Sequence, residues 1–355
     1  MKRAGNSKVK LKSMQLLWTW RVVELRRHTN VSSSGSLAAA MLLISLCACA
    51  ASAQVTDKAP SSTQAASEEY IQRGYELQSN GKYDLAVEAY SLALKIDPTN
   101  SFIYNKRGFA YYTQRQYDKA ISDYTDSLRL NPRNVWVHNN RGLNYFRLGQ
   151  PEKALTDFNT AIRLQPDYVY AYLNRAILYQ DLKQNVKAFS DFDMAITIKP
   201  DYVRAYNSRG EAHRQLKRYD RAIADFTESI RLQPENGLNY RLRAQTYETL
   251  KQYDTSIADF TSAIRLEPDF DFNYFSRGLI YQVRKQYDSA IADFNQTLRL
   301  RPDYASAYKH RADVYRQMNQ RGKAATDYRK YLELLPGAGS AGEMKKLIAD
   351  LENRQ

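Results

Sequence analysis

Cysteine is nearly absent from this 355-residue chain: Cys47 and Cys49 are the only two, and none follows Gln54. The body therefore has no disulfide, no thiolate metal site and no cysteine nucleophile. Glycine (14) and proline (10) are scarce as well. So few turn formers argue against two compact domains and for long helices with short connections. No glycine-rich phosphate loop, His-Glu-x-x-His run or nucleophile elbow occurs. Three histidines lie beyond the first fifty residues: His138, His213 and His310. They are scattered, so the sequence offers no metal set, no cofactor motif and no acid–base couple, and an enzyme is not expected.

What remains is a charged chain rich in tyrosine, with 28 copies. Half of the +14 net charge comes from residues 1–53, where eight basic residues oppose Glu24 alone. Residues 37–51 are apolar and uncharged, and Ala51-Ser52-Ala53 supplies small residues ahead of Gln54. A positive region, a short apolar core and a small-residue site are the parts of a secretory signal peptide, expected over 1–53 with cleavage after Ala53. The apolar core is shorter than the ~20 residues that a spanning helix needs. Lipidation at Cys49, an uncleaved signal anchor and a start at Met14 are the alternatives. The expected address is periplasmic or secreted, in a bacterial cell envelope, with membrane contact only through a retained or lipidated leader. Residues 54–66 are small and polar and read as a flexible linker.

The body is periodic. Pro98, Pro132, Pro166, Pro200, Pro234, Pro268, Pro302 and Pro336 recur every 34 residues without a slip. With proline as position 32, eight units begin at Ser67, Ser101, Val135, Val169, Val203, Gly237, Asp271 and Ala305. Positions 8 and 20 are small, as in Gly142 and Ala154, and position 24 is Phe or Tyr. Position 4 is Tyr except at His138, and position 11 is mostly Tyr, with His213 in unit five. Small residues let two helix backbones approach while the aromatics fill the surrounding space. Proline ends the second helix of each unit. His138 and His213 read as substitutes for core tyrosines, and the tyrosine abundance reads as packing, not base stacking.

These marks, over residues 67–338, resemble the tetratricopeptide-repeat family. The resemblance implies an all-α fold: a right-handed superhelical solenoid of eight helix–turn–helix repeats, first helices lining a concave groove. One unit cannot bury its apolar face alone; a stack can. Within 339–355, Met344, Leu347, Ile348 and Leu351 at helical spacing read as a capping helix.

One departure from the family pattern stands out. Position 7, often apolar there, is arginine in every unit, and position 23 is aspartate in seven, with Ala89 in unit one. Position 7 lies opposite the groove-facing positions, which predicts partly buried pairs among Arg107, Asp123, Arg141, Asp157, Arg175, Asp191, Arg209 and Asp225. The sequence leaves open whether each partner lies in the same unit or the preceding one. A ladder for anions is the competing reading.

The family's groove positions, 2, 5, 9, 12 and 13, imply three zones here. Units two to four present Phe102, Phe109, Tyr112, Trp136, Leu143, Phe146, Tyr170 and Ile177. Units five and six present Arg204, Glu211, Arg214, Arg241 and Glu248. Units seven and eight present Phe272, Phe275, Leu279, Lys309, Asp313 and Arg316. Asn105, Asn139 and Asn207 recur at position 5, where carboxamides can pair with an extended peptide backbone. Apolar groove residues stay wet unless covered, so the first zone is the expected binding surface. The function that follows is a non-enzymatic scaffold holding an extended protein or peptide segment, with no small-molecule substrate. The alternatives are a membrane-held envelope assembly factor and a module for an anionic polymer. The modestly basic body is weak evidence for an anionic partner, but nucleic acid is not expected, because the tyrosines that could stack on bases fall on packing positions of the repeat.

Overall fold

The computed structural model describes residues 62–337 and 341–353. The expected signal peptide, its alternatives at Met14 and Cys49, and residues 54–61 of the expected linker lie outside the described residues. Among the described residues there are seventeen helices and no strand. They run α1 (Ser62–Ser79), α2 (Tyr83–Ile96), α3 (Ser101–Thr113), α4 (Tyr117–Leu130), α5 (Val135–Arg147), α6 (Pro151–Leu164), α7 (Val169–Asp181), α8 (Asn185–Ile198) and α9 (Val203–Gln215). The series continues with α10 (Tyr219–Leu232), α11 (Gly237–Thr249), α12 (Tyr253–Leu266), α13 (Asp271–Val283), α14 (Tyr287–Leu300), α15 (Ala305–Gln317), α16 (Arg321–Leu334) and α17 (Ala341–Glu352). Each unit is an antiparallel helix pair, and the second helix of one unit packs on the first helix of the next. The protein is an all-α repeat solenoid.

Sequence pattern explains each helix. In α4, Ala120, Asp123, Tyr124, Ser127 and Leu128 are buried at the i, i+3, i+4, i+7, i+8 spacing of one face. Asp118 in its first turn and Arg129 in its last complement the helix dipole. The ring at position 24 fills the space left by the small residue at position 8. A Cβ added to Gly142 would lie 2.8 Å from the Phe158 ring, so glycine sets the approach of α5 and α6. Helix α1 starts at Ser62, ahead of the expected Ser67, so residues 62–66 are helix instead of linker. Gln64, Ala65 and Ala66 are good helix formers, and Ser67 is buried, donating from Oγ to the Ala93 carbonyl (3.5 Å). At the other end, Met344, Ile348 and Leu351 of α17 are buried against Tyr328 and Tyr331 of α16. Each such burial contributes about 1.5–3 kcal/mol.

The turn inside every unit has one geometry. In unit two the Gln116 N–H donates to the Tyr111 carbonyl and the Arg115 N–H to the Tyr112 carbonyl, both at 2.9 Å. This is the Schellman pattern that closes a helix through one left-handed residue. That residue is glycine only at Gly81 and Gly149; Arg115, Lys183, Lys217, Lys251, Lys285 and Asn319 take positive φ with a side chain. The left-handed region costs a residue with Cβ about 1–2 kcal/mol. Gly149→Ala is therefore expected to lower stability by about 1 kcal/mol, and Lys183→Gly to raise it by roughly 0.5 kcal/mol, read from urea melts.

Successive first helices approach one another (α3–α5, α5–α7, α7–α9, α9–α11 and α13–α15), whereas no two second helices make comparable contact. The stack therefore curves toward its first helices, and their free faces form the concave side.

Candidate functional site

The position-7 arginines of units two to eight are engaged in pairs away from the concave face. Arg107 Nε and Nη2 donate to the two oxygens of Asp123, at 2.8 and 2.7 Å, and the same fork joins Arg141–Asp157, Arg175–Asp191, Arg209–Asp225, Arg243–Asp259, Arg277–Asp293 and Arg311–Asp327. These pairs lie within a unit. The third nitrogen, Nη1, crosses to position 25 of the preceding unit: Arg107 to Ser91, Arg141 to Thr125, Arg175 to Asn159, Arg209 to Asp193, Arg243 to Thr227, Arg277 to Thr261 and Arg311 to Asn295, at 2.5–3.1 Å. Tyrosines at positions 4 and 11 flank the guanidinium, with Arg175 5.6 Å from the Tyr172 ring and 5.8 Å from Tyr179. One side chain thus ties three helices and two units together. With every fork carboxylate buried and engaged, the arginines do not form an open anion ladder.

The histidines are absorbed by the stack. His138 stands where other units have Tyr and contacts Asp157 Oδ1 and the Pro132 carbonyl, each at 3.0 Å. Burial pushes the Asp157 carboxyl up, but hydrogen bonds from Arg141 and His138 outweigh it and hold the carboxyl below its ordinary value. At Asp123 and Asp293, where no histidine helps, burial wins and the direction is upward. His213 stacks on Phe189 with ring centres 4.4 Å apart, and burial pushes its pKa down. Its native form stays neutral where the unfolded chain takes up a proton. Its contribution is full above the unfolded value near 6.5 and is lost as pH falls through and below it. Thermal melts should lose stability from pH 7 to pH 5, and His213→Tyr, the residue that most units carry at position 11, should flatten that slope. Among the described residues no cluster of His, Cys, Asp and Glu is arranged to hold a metal ion.

On the concave side, Phe102 is 41%, Phe109 38%, Trp136 57% and Tyr170 39% exposed, large apolar surfaces open to water on three consecutive first helices. From Trp136 onward the rings are contiguous. Trp136 lies 5.7 Å from Tyr168 and 6.0 Å from Tyr170, and Tyr170 lies 5.7 Å from Tyr202. Tyr168 and Tyr202 occupy position 34, the N-cap of the next first helix. Asn100, Asn134 and Asn236 cap there with side-chain oxygens, whereas Tyr168 and Tyr202 make no capping hydrogen bond. A lost cap costs about 1 kcal/mol; in exchange Tyr202 adds a half-buried ring to the concave wall, and the buried Tyr168 backs Trp136 from the core. Sequence reading missed them, although aromatics at a capping position were the signal. Toward the first unit, Phe102 packs 5.9 Å from Tyr75, whose pKa burial pushes up to about 12. Lys106 lies over both rings, and burial pushes its pKa down.

Two depressions lie along this wall. One, of about 180 Å³, is lined by Phe109, Tyr112, Trp136, Leu143 and Tyr170, with Tyr124, Asn139, Asn140, Asn144 and Asn174 among its polar contributors. The other, of about 810 Å³, is lined by Ile177, Asn207, Glu211 and Leu238 among others. The exposed Arg204 borders both. Tyr112, Leu143 and Phe146 are half-buried, and Phe146 leans on the Ala154–Phe158 cluster.

The position-5 asparagines differ from the expected peptide clamp. Asn139 is 5% exposed, accepts from Asn174 Nδ2 at 2.9 Å and donates to Asn140 Oδ1 at 3.3 Å. Asn207 donates to Asn239 Oδ1 at 2.8 Å. First helices come close enough for these carboxamides to bond the next unit, so both tie the stack together; Asn105 is half-buried on the wall. Phe275 is 8% exposed because Tyr304 folds over it at 4.7 Å, so it belongs to the core and not to the groove. The charged zone is largely self-paired, through Arg214–Glu211 at 2.8 Å and Arg241–Glu267 at 2.6 Å; Lys309 meets Asp313 at 3.5 Å. Burial raises the Glu248 pKa.

Comparison with known proteins agrees with this architecture. Tetratricopeptide-repeat profiles match residues 101–134, 203–236, 240–270 and 275–339, and a TPR-repeat profile matches 74–115 and 142–183. No curated protein matches the chain. Among solved structures, the C-terminal part of a TPR repeat-containing protein from Cytophaga hutchinsonii superposes with a TM-score of 0.55 at 15% identity, over 67% of this chain and 97% of that one. The APC/C hetero-tetramer Cut9–Hcn1 gives 0.52 at 20% identity, over 79% of this chain, which spans 55% of the length of that one. PilW, a type IV pilus biogenesis factor, gives 0.52 at 20% identity, over 57% of this chain and 94% of its own. At these identities the likeness is one of fold.

Proposed function

The chain belongs to the tetratricopeptide-repeat family, and from that premise we propose that it is a non-enzymatic scaffold that holds an extended protein segment along its concave side, chiefly against units two to four. The exposed wall of Phe109, Trp136 and Tyr170 carries this reading, since contiguous apolar surface left in water favours a covering partner. The engaged arginines weigh against an anionic polymer. An envelope address is part of the proposal and rests on the composition of residues 1–53. N-terminal sequencing that finds Gln54 supports it, and recovery of the full-length chain in the cytoplasmic fraction contradicts it.

Affinity capture followed by calorimetry tests the groove. Trp136→Ala should weaken the captured guest by about 10- to 100-fold, the loss typical of a central aromatic anchor. Val186→Ala should change nothing, because Val186 is 87% exposed on the second helix α8. Equal affinities for all three proteins would place the guest elsewhere.

A further inference from the structure

The recess of about 180 Å³ is lined by two buried residues with unmet hydrogen-bonding capacity: Tyr124, whose hydroxyl has the Asn140 side chain beside it as a donor but meets no acceptor, and Asn144, whose Oδ1 receives nothing. Both residues are essentially inaccessible, at 0% and 1% exposure. The molecule supplies its own control for Tyr124. Position 24 is tyrosine in three units. In unit one Tyr90 donates to Gln78 Oε1 (3.3 Å), and in unit eight Tyr328 donates to Asp313 Oδ1 (2.6 Å). The equivalent places in unit two are taken by Tyr112 and Phe109, so the Tyr124 proton has no acceptor of that kind, and Tyr124 lines the recess. Asn144 is likewise half-satisfied: Nδ2 donates to the Asn140 carbonyl at 2.8 Å, and Oδ1 receives nothing. Other units carry residues such as Ala110 and Leu178 at this position. An unpaired buried polar atom costs about 1–3 kcal/mol, so a pair of them in one recess calls for a ligand.

We propose that this recess is an anchor pocket for one tyrosine side chain of the guest segment. The inference rests on the groove reading above and names the guest's anchor. A dry cavity of about 150 Å³ accepts a benzene ring, so the volume suits a single ring with a substituent. The walls Phe109, Trp136 and Tyr170 offer ring faces and edges to it. A phenol brings one donor and two lone pairs: it accepts from the Tyr124 hydroxyl and donates to Asn144 Oδ1, which satisfies both orphan atoms. Phenylalanine would fill the space and leave both unpaired. A hexose would bring several hydroxyls to a floor with two open positions. A carboxylate, ammonium or phosphorylated ring would enter a recess whose one charged neighbour, Arg204, is exposed at its border.

Ligand-observed NMR titrations of the full chain with N-acetyl-tyrosinamide, N-acetyl-phenylalaninamide, phosphotyrosine and glucose test this. The expected result is about 10-fold tighter binding of tyrosinamide than of phenylalaninamide, as one neutral hydrogen-bonding group gives, with phosphotyrosine and glucose weaker than either. Tyr124→Phe and Asn144→Leu should each reduce that preference to within about 3-fold. Both variants should fold, because Phe158 and Leu178 are the corresponding residues of other units. Equal binding of the two amides, a preference that survives in both variants, tighter binding of glucose, or no binding of any probe overturns the proposal. If tyrosinamide fails while Trp136→Ala still weakens the captured guest, the anchor falls and the groove reading stands. If tyrosinamide binds as expected while Trp136→Ala leaves the guest untouched, the groove reading falls and the pocket remains.

Discussion

Replacing Asp157 by alanine is expected to destabilise the repeat stack by about 3–5 kcal/mol, the cost of leaving a buried charge without its partner. Asp157 is 2% exposed and receives both the Arg141 fork and His138. Its loss strands a guanidinium that α6 and the preceding unit enclose. Unit one supplies the natural contrast: Ala89 replaces aspartate there, and Arg73 is exposed instead of buried. Among the described residues no repeat unit packs ahead of it, and its guanidinium stays in water. The double variant Arg141→Leu/Asp157→Leu should recover most of the loss, because an apolar pair of similar volume is often nearly neutral. Repeat arrays lose stability locally, so hydrogen exchange over α5 and α6 is the appropriate readout. A loss under 1 kcal/mol in the single variant would show that the fork is ornamental.

Phe192→Ala should cost a similar amount, about 3–5 kcal/mol. Phe192 is 0% exposed in mid-stack and faces Ala176 within one cluster that also includes Ala188, Ala195 and Ala205. Backbones held apart by the other rings cannot collapse into the gap, so a cavity remains and adds to the lost transfer energy. Phe192→Leu should cost about half as much, since most of the volume stays. Urea melts of the three proteins check the order, and an alanine variant as stable as wild type would contradict the packing role assigned to position 24.

The helix pairs and their stacking were legible because a 34-residue period repeats one solution eight times. Proline 32, small positions 8 and 20 and the ring at 24 each have a local physical meaning. Relations between units were harder to read. Arg107 lies sixteen residues from both Asp123 and Ser91, so spacing alone did not choose between them, and the guanidinium takes both. In units one to seven position 25 varies among Ser, Thr, Asn and Asp, which hid a shared acceptor role. The left-handed turn was masked because Arg or Lys fills it in most units. On the concave side Phe102, Phe109, Trp136 and Tyr170 are exposed where the family positions put them, but Asn139, Asn207 and Phe275 meet neighbouring units that a one-unit pattern does not contain. Tyr168 and Tyr202 escaped notice because they sit at a capping place, not a groove place.

The concave aromatic wall waits for a guest. Acrylamide quenching of Trp136 tests this, in the full chain with Trp18→Phe and Trp20→Phe so that one indole emits. The free protein should be strongly quenched, as a ring 57% exposed must be, and saturation with the captured guest should protect it several-fold. Quenching that is the same with and without the guest would contradict the claim.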